Sequence, residues 1–142
     1  MTVRACDGCR ACCTALGVDA IGKPTDAPCP HECSSGCSIY TTRPEPCAAF
    51  LCAWAQGFGR NMERPDRVGF VLVPTRTGEA LVAHPAHPGA LEEPQVRARL
   101  DELAKKLVII LRLDERRRTM IGPAHKVEPL ARRIGRDLTV IR

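Results

Sequence analysis

Residues 6–13 have the sequence CDGCRACC, a run that carries four cysteines. A CxxC pair places two sulfur atoms on one tight turn, where they can share a metal ion with bonds of about 2.3 Å for zinc. One such pair is weak evidence, but here a third cysteine follows at the same spacing and a fourth stands beside it. The run therefore predicts a centre at which cysteine thiolates hold a metal.

The other five cysteines lie between residues 29 and 52, and none occurs after that. They belong to three segments, CPHEC at 29–33, CSIY at 37–40 and RPEPCAAFLCAW at 43–54. This segregation divides a chain of single-domain length into two parts. We call residues 1–57 the cysteine lobe, a metal-binding unit, and residues 58–142 the sheet lobe, a small α+β unit with a basic C-terminal tail. We expect the two lobes to form one compact domain.

The sequence also suggests a compartment. The first residues, MTVRAC, lack the apolar run of a secretory signal. No stretch approaches the roughly 18 apolar residues that a membrane span needs. We therefore expect a cytoplasmic protein with no membrane partner, in a reducing compartment where clustered thiols usually bind metal or do redox work. The odd total of nine cysteines also argues against a closed disulfide framework.

The adjacent pair Cys12 and Cys13 bears on how the ligands are divided. Neighbouring side chains point to opposite sides of a strand and diverge by about 100° in a helix, so they rarely serve one tetrahedral metal. Eight thiolates would fill two tetrahedral sites, whereas four would fill one cubane cluster and leave the others for a second metal. The CxxCxxC spacing is similar to runs that wrap iron–sulfur cubanes, but spacing alone does not decide between zinc and iron.

Over about residues 6–54, the chain resembles the bacterial YkgJ-type cysteine-cluster family, which is described as a zinc- or iron-chelating domain. The motifs that carry this resemblance are CxxCxxCC, CPH, GCSIYxxRPxxC and FxCxW. A related cysteine module occurs in the flagellin lysine N-methylase, where an iron–sulfur cluster is implicated. The resemblance implies bound zinc or iron, or an iron–sulfur cluster. It places the metal ligands at eight positions, which are Cys6, Cys9, Cys12, Cys13, Cys29, Cys37, Cys47 and Cys52.

Two further residues are candidate ligands, and two positions depart from the family pattern. Cys33 is the ninth cysteine, either a spare thiol or a substitute ligand. His31 could bind the metal, support a ligand or simply belong to the loop. The family often has glycine where this chain has Arg10, and usually arginine where this chain has Ala48. Neither departure removes a candidate ligand.

The sheet lobe shows regular periodicity. Residues 68–74 are β-branched and apolar, Thr75–Gly78 has turn chemistry, and residues 79–84 are expected to return as the second strand of a hairpin. A helix is predicted from near Glu92, with Pro94 in its first turn. Its apolar stripe is Val96, Leu100, Leu103 and Leu107, and two further strands are predicted at 108–113 and 118–121.

These elements define the predicted fold class. We expect an α+β protein in which a small, metal-bound cysteine lobe packs on a small, mostly antiparallel sheet with one main helix. Residues 58–67 are expected to form a connecting loop, and residues 123–142 a basic tail.

The remaining evidence bears on function. The cysteine lobe carries a formal net charge of −1 and the sheet lobe +6, an excess that we interpret as a solvated arginine-rich surface. The expected partners are metal ions and a protein, and we do not expect nucleic acid. No phosphate-binding loop, dinucleotide motif or HExxH zinc motif is present. A metal-binding protein is the leading hypothesis. The alternatives are a metal-dependent enzyme or accessory subunit, methylase-like or redox, and a zinc-ribbon-like module that binds nucleic acid or protein.

Overall fold

The computed structural model describes residues 4–6, 8–34, 36–134 and 138–140. Its helices are α1 (Ala11–Ala15), α2 (Glu45–Ala49), α3 (Pro65–Val68), α4 (Pro94–Leu103) and α5 (Ala124–Ile134). Its strands are β1 (Glu32–Cys33), β2 (Gly36–Cys37), β3 (Phe70–Pro74), β4 (Leu81–Pro85), β5 (Ile109–Arg112), β6 (Arg118–Ile121) and β7 (Leu138–Val140). The α+β class is therefore confirmed. None of the described helices has the length and apolar character that crossing a bilayer requires.

The main sheet has the strand order β3-β4-β5-β6-β7. The predicted hairpin is confirmed, because β3 and β4 pair antiparallel, and β5 and β6 do the same. The pairs β4–β5 and β6–β7 are parallel, so the prediction of a mostly antiparallel sheet is wrong. Parallel neighbours need a crossover connection. Here α4 connects the first parallel pair and α5 the second.

A second long helix lies where the basic tail was predicted, so the expectation of one main helix is also wrong. Helix α5 has 11 residues and α4 has 10. Val127 and Leu130 of α5 are buried against Ile110 and Met120 of the sheet. The sequence hid this helix because Pro129, a helix breaker in most contexts, stands in its interior.

Helix α4 covers the opposite face of the sheet. Its residues Val96 and Leu100 pack with Phe70 of the sheet, and the whole predicted stripe packs on this core, although Leu107 lies past the end of α4. Both faces of the sheet are therefore covered by helices, as is usual where parallel pairs occur.

The predicted connecting loop at 58–67 contains structure of its own. A 3₁₀ turn spans Asn61–Glu63, and α3 includes Val68, which had been assigned to the following strand. Gly69 ends α3 with φ of 94°, and a Cβ atom there would lie 2.7 Å from Val96. Glycine is thus required both by the left-handed backbone and by the close approach of α4.

Glu63 ties this segment to α4. Its carboxylate accepts hydrogen bonds from both Arg99 Nη2, at 2.9 Å, and the backbone N–H of Arg60, at 3.1 Å. The Arg99 bond is the main cause that lowers the pKa of Glu63 to about 2. The Glu63 side chain is 11% exposed, so the pair is only weakly screened by solvent.

We predict that Glu63→Gln lowers the free energy of unfolding by about 2 kcal/mol at neutral pH, because a charge-assisted bond to Arg99 is lost. The folded-state pKa of Glu63 is depressed, so its stabilisation is complete above its unfolded value of 4.5 and disappears as the pH falls towards 2. Urea titrations from pH 7 to pH 2.5 should show the two proteins converging in acid. A difference that does not change with pH would contradict the assignment.

The cysteine lobe is attached to the sheet by a buried guanidinium. Arg112 of β5 is 2% exposed and bonds both carboxylate oxygens of Asp26, at 2.8 and 2.9 Å. It also donates to the Ala15 carbonyl at 3.1 Å and to His84 Nδ1 at 2.7 Å. Burial lowers the pKa of His84 to about 4, so the ring stays neutral and accepts this bond at neutral pH.

We predict that Arg112→Met lowers the free energy of unfolding by about 3–5 kcal/mol, since it leaves the Asp26 carboxylate without its counter-charge. Arg97→Met is the matched control, because Arg97 forms an exposed pair with Asp101 on α4 and should contribute less than about 1 kcal/mol. Thermal and chemical unfolding of both variants measures the difference. Equal losses for the two variants would refute this role of Arg112.

Candidate metal centre

The cysteine lobe contains a cavity of about 620 Å³. The cysteines that line it are Cys6, Cys9, Cys12, Cys13, Cys29, Cys37, Cys47 and Cys52. These are the eight that the family resemblance implies as ligands. His31 also lines the cavity, whereas Cys33 does not. Four separate segments of the chain therefore bring the predicted ligand set to one place and leave the ninth thiol out.

Short local elements position these thiols. The turn at Cys6–Cys9 is closed by a hydrogen bond from the Cys9 N–H to the Cys6 carbonyl, at 2.7 Å. Helix α1 carries Cys12 and Cys13, strand β2 carries Cys37, and helix α2 carries Cys47. These elements have two to five residues each and form no extended core of their own.

One wall of the cavity belongs to the junction with the sheet lobe. Cys52 is buried in a small apolar cluster with Ala11, Ala15, Ala55 and Val71 of β3. The N–H of the next residue, Ala53, donates to the Leu72 carbonyl at 2.7 Å. The sheet edge therefore holds the segment that presents Cys52 to the cavity.

All nine cysteines belong to the described residues, and none of them forms a disulfide bond. Among the described residues, no three His, Cys, Asp or Glu side chains lie close enough together to hold one metal ion. The thiols thus share a cavity but are spread over its walls. A four-thiolate zinc site needs every sulfur about 2.3 Å from the ion, so the lobe would have to contract to form one.

Cys12 and Cys13 interact directly although they are adjacent in a helix. A hydrogen bond between their side chains raises the pKa of Cys12 and lowers that of Cys13 to about 7. Burial raises the pKa of both Cys9 and Cys47. Cys13 is therefore the thiol of this pair that ionises first, while Cys12 keeps the shared proton.

The charged lysine and arginine side chains at the cavity are Arg4, Lys23 and Arg43, and no described Asp or Glu lines it. Arg4 donates to the carbonyls of Phe58 and Gly59, at 2.8 and 2.7 Å. The Arg43 guanidinium lies 4.0 Å from the centre of the Tyr40 ring. None of the three cations forms a carboxylate ion pair within the part of the chain that the structure describes. Such a wall favours anionic groups, and the thiols can become anionic.

Lys23 was not singled out by the sequence analysis. It is the one lysine or arginine between Arg10 and Arg43, in the middle of the cysteine segment. A lone cation among the cysteines was enough to mark Lys23 as a candidate for a role at the metal site, but only the fold places its side chain at the cavity. The fold also gives Arg10 a role, since it pairs with Glu32 at 3.5 Å and bonds the Cys33 carbonyl at 3.1 Å.

The two departures from the family pattern have different consequences. Arg10 links the CxxC turn to the hairpin of β1 and β2 through its ion pair with Glu32. The other carboxylate oxygen of Glu32, Oε2, is buried and has no hydrogen-bond partner among the described atoms. Ala48 is exposed and lies at the cavity. An arginine there would add a further cation to the same wall.

Comparison with protein-family models, with curated proteins and with solved structures finds no match to this chain. The case for a function therefore depends on the cavity and its cysteines.

In metal-free, reduced protein, we predict that alkylation of Cys13 by iodoacetamide rises with a midpoint near pH 7, because the Cys12 hydrogen bond favours its thiolate. Cys12→Ala should move that midpoint upward by removing the donor. Mass spectrometry of the peptide that contains residues 11–23 locates the modification. An unchanged midpoint in the variant would show that the pair does not share its proton as described.

Proposed function

We propose that this chain is a metal-binding protein of the YkgJ-type cysteine-cluster family, which holds zinc, iron or an iron–sulfur cluster through cysteine thiolates. The observation that carries the proposal is the selection of cysteines at the cavity. The eight implied ligands line it, and Cys33 does not. A set of cysteines with no common role would have no reason to follow that division.

The donor set fits such a group chemically. Thiolates are soft ligands that favour zinc and iron–sulfur clusters over magnesium or calcium. A cavity of about 620 Å³ is far larger than one ion needs, so it can accept two ions or a polynuclear cluster. The basic side chains at its wall offset the negative charge of a thiolate-bound metal.

The spread of the thiols also agrees with a metal that completes the fold. Metal sites of small domains are rarely preformed, and the binding free energy then becomes folding free energy. Helices α1 and α2 have five residues each, too few to be stable by themselves. Bound zinc would act here as a structural crosslink, whereas an iron–sulfur cluster would add electron transfer. Nine described cysteines without a disulfide bond favour a reducing, cytoplasmic location.

One observation favours an enzyme or enzyme accessory subunit as a second candidate. The cavity volume of about 620 Å³ lies within the range of about 300–1,000 Å³ typical of small-molecule sites. Space beside a metal would allow an open coordination position for a substrate, as in methylase-like or redox chemistry. Coordination by eight closed thiolate bonds would argue against this candidate.

We do not extend the proposal to nucleic-acid binding. Several arginines of the basic sheet lobe are already paired with carboxylates at the surface, including Arg97 with Asp101, Arg117 with Asp114 and Arg133 with Glu79. These pairs reduce the charge available to a phosphate backbone.

We predict that protein purified without oxygen contains either about two zinc ions per chain, as two four-thiolate sites require, or iron with acid-labile sulfide and a broad visible absorption band. Cys9→Ser and Cys47→Ser should each lower the metal content or weaken metal affinity by about tenfold or more. Metal analysis and competition with a chelator provide the measurements.

Cys33→Ser is the matched control, because Cys33 lies in the same lobe but does not line the cavity. It should retain the metal content of the unsubstituted protein. Protein that binds neither zinc nor iron under reducing conditions would disprove the proposed function. An equal loss of metal content in all three variants would contradict the assignment of Cys9 and Cys47 as ligands.

A further inference from the structure

Lys23 is a buried lysine at the wall of the cavity. The residue is only 4% exposed, although lysine is almost never buried unless it is paired. Because removing an ammonium from water is costly, its burial needs a compensating partner.

The hydrogen bonds of Lys23 do not supply a counter-charge. Its ammonium donates to the carbonyls of Leu16, Thr14 and Pro24, at 2.6, 2.9 and 2.9 Å. Three bonds use all three donors and fix the group at the end of α1. Carbonyl oxygens carry only partial charge, and the described residues contain no carboxylate in ion-pair contact with Lys23.

Lys23 lines the same cavity as eight thiols, which are groups able to become anionic. Burial lowers the pKa of Lys23, and the negative charges of Cys29 and Cys13 are the largest of the effects that oppose this shift. Asp26 also contributes, but both of its carboxylate oxygens are bonded to Arg112. The thiols that line the same cavity as Lys23 are therefore the groups left to supply its counter-charge when they ionise or bind a metal.

We infer that Lys23 is the fixed counter-cation of the proposed metal centre, which stabilises the thiolate, metal-bound state of the cysteines beside it. This inference rests on the proposed function. A divalent ion held by four thiolates leaves a site with net negative charge. An ammonium held in position by three carbonyl bonds lowers the free energy of that state without forming a bond to the metal.

A purely structural role is the competing explanation. A lysine at the end of a helix can cap carbonyls, and the bonds to Thr14 and Leu16 are of that kind. A cap stabilises the metal-free and the metal-bound protein equally. A counter-cation stabilises chiefly the metal-bound protein, so the two roles differ in what a neutral side chain does to metal affinity.

The test compares Lys23→Met and Lys23→Gln with Lys23→Arg. Methionine keeps the length of the side chain without its charge, glutamine keeps donors for the carbonyls without charge, and arginine keeps the charge. Lys126→Met is the matched control, since Lys126 also donates to a backbone carbonyl, that of Lys106 at 2.8 Å, but is exposed and outside the cavity.

Zinc(II) affinity is measured on the full reduced chain by competition with a chromophoric chelator, and unfolding is measured with and without zinc. We expect both neutral variants to lose affinity by about tenfold, equivalent to about 1.4 kcal/mol, while Lys23→Arg and Lys126→Met stay within about threefold of the unsubstituted protein. Using two neutral variants keeps the test decisive if one of them fails to fold.

The outcomes separate the two proposals. If the unsubstituted chain binds neither zinc(II) nor iron, the proposed function fails and this inference fails with it. If the unsubstituted chain binds zinc and the neutral variants bind it equally well, only the counter-cation role is overturned. Equal destabilisation of the metal-free and zinc-bound forms would also overturn it, because a helix cap alone would explain that result.

Discussion

The buried guanidinium of Arg112 is the contact on which the arrangement of the two lobes depends. From β5 it reaches Asp26 and the Ala15 carbonyl of the cysteine lobe, and it also bonds His84 of β4. Asp26 has a φ of 59°, an unfavourable backbone for a residue other than glycine, and the bidentate bond offsets that strain. The end of α1 and the loop before Cys29 are thereby fixed relative to the sheet.

The two lobes are stabilised by different physics. The sheet lobe buries apolar side chains on both faces of its strands, under α4 and α5. The cysteine lobe has a small apolar cluster at its junction with β3 and otherwise surrounds a cavity lined by thiols, apolar side chains and a few basic groups. Ionised thiolates would repel one another in such a place unless cations balanced them. Lys23 and a bound metal would share that role, one fixed by the fold and the other supplied from solution.

Local patterns in the sequence were enough to predict several elements of the fold. A β-branched apolar run and turn chemistry identified the β3–β4 hairpin, the strand at 118–121 was also predicted, and helical periodicity identified α4. The same criteria missed α5, because Pro129 and the surrounding arginines mask two buried positions, Val127 and Leu130. They also could not give strand direction, which depends on where each helix returns the chain.

The sequence by itself determined where metal chemistry is to be sought, since the family resemblance implies eight cysteine ligands and leaves Cys33 as a spare thiol or a substitute ligand. Only the tertiary structure decided that these eight share one cavity, and that Lys23 stands at its wall beside them. The physical reason is the range of the interactions involved. A turn such as Cys6–Cys9 is set by adjacent residues, whereas the environment of Lys23 is created by segments that meet only when the chain folds.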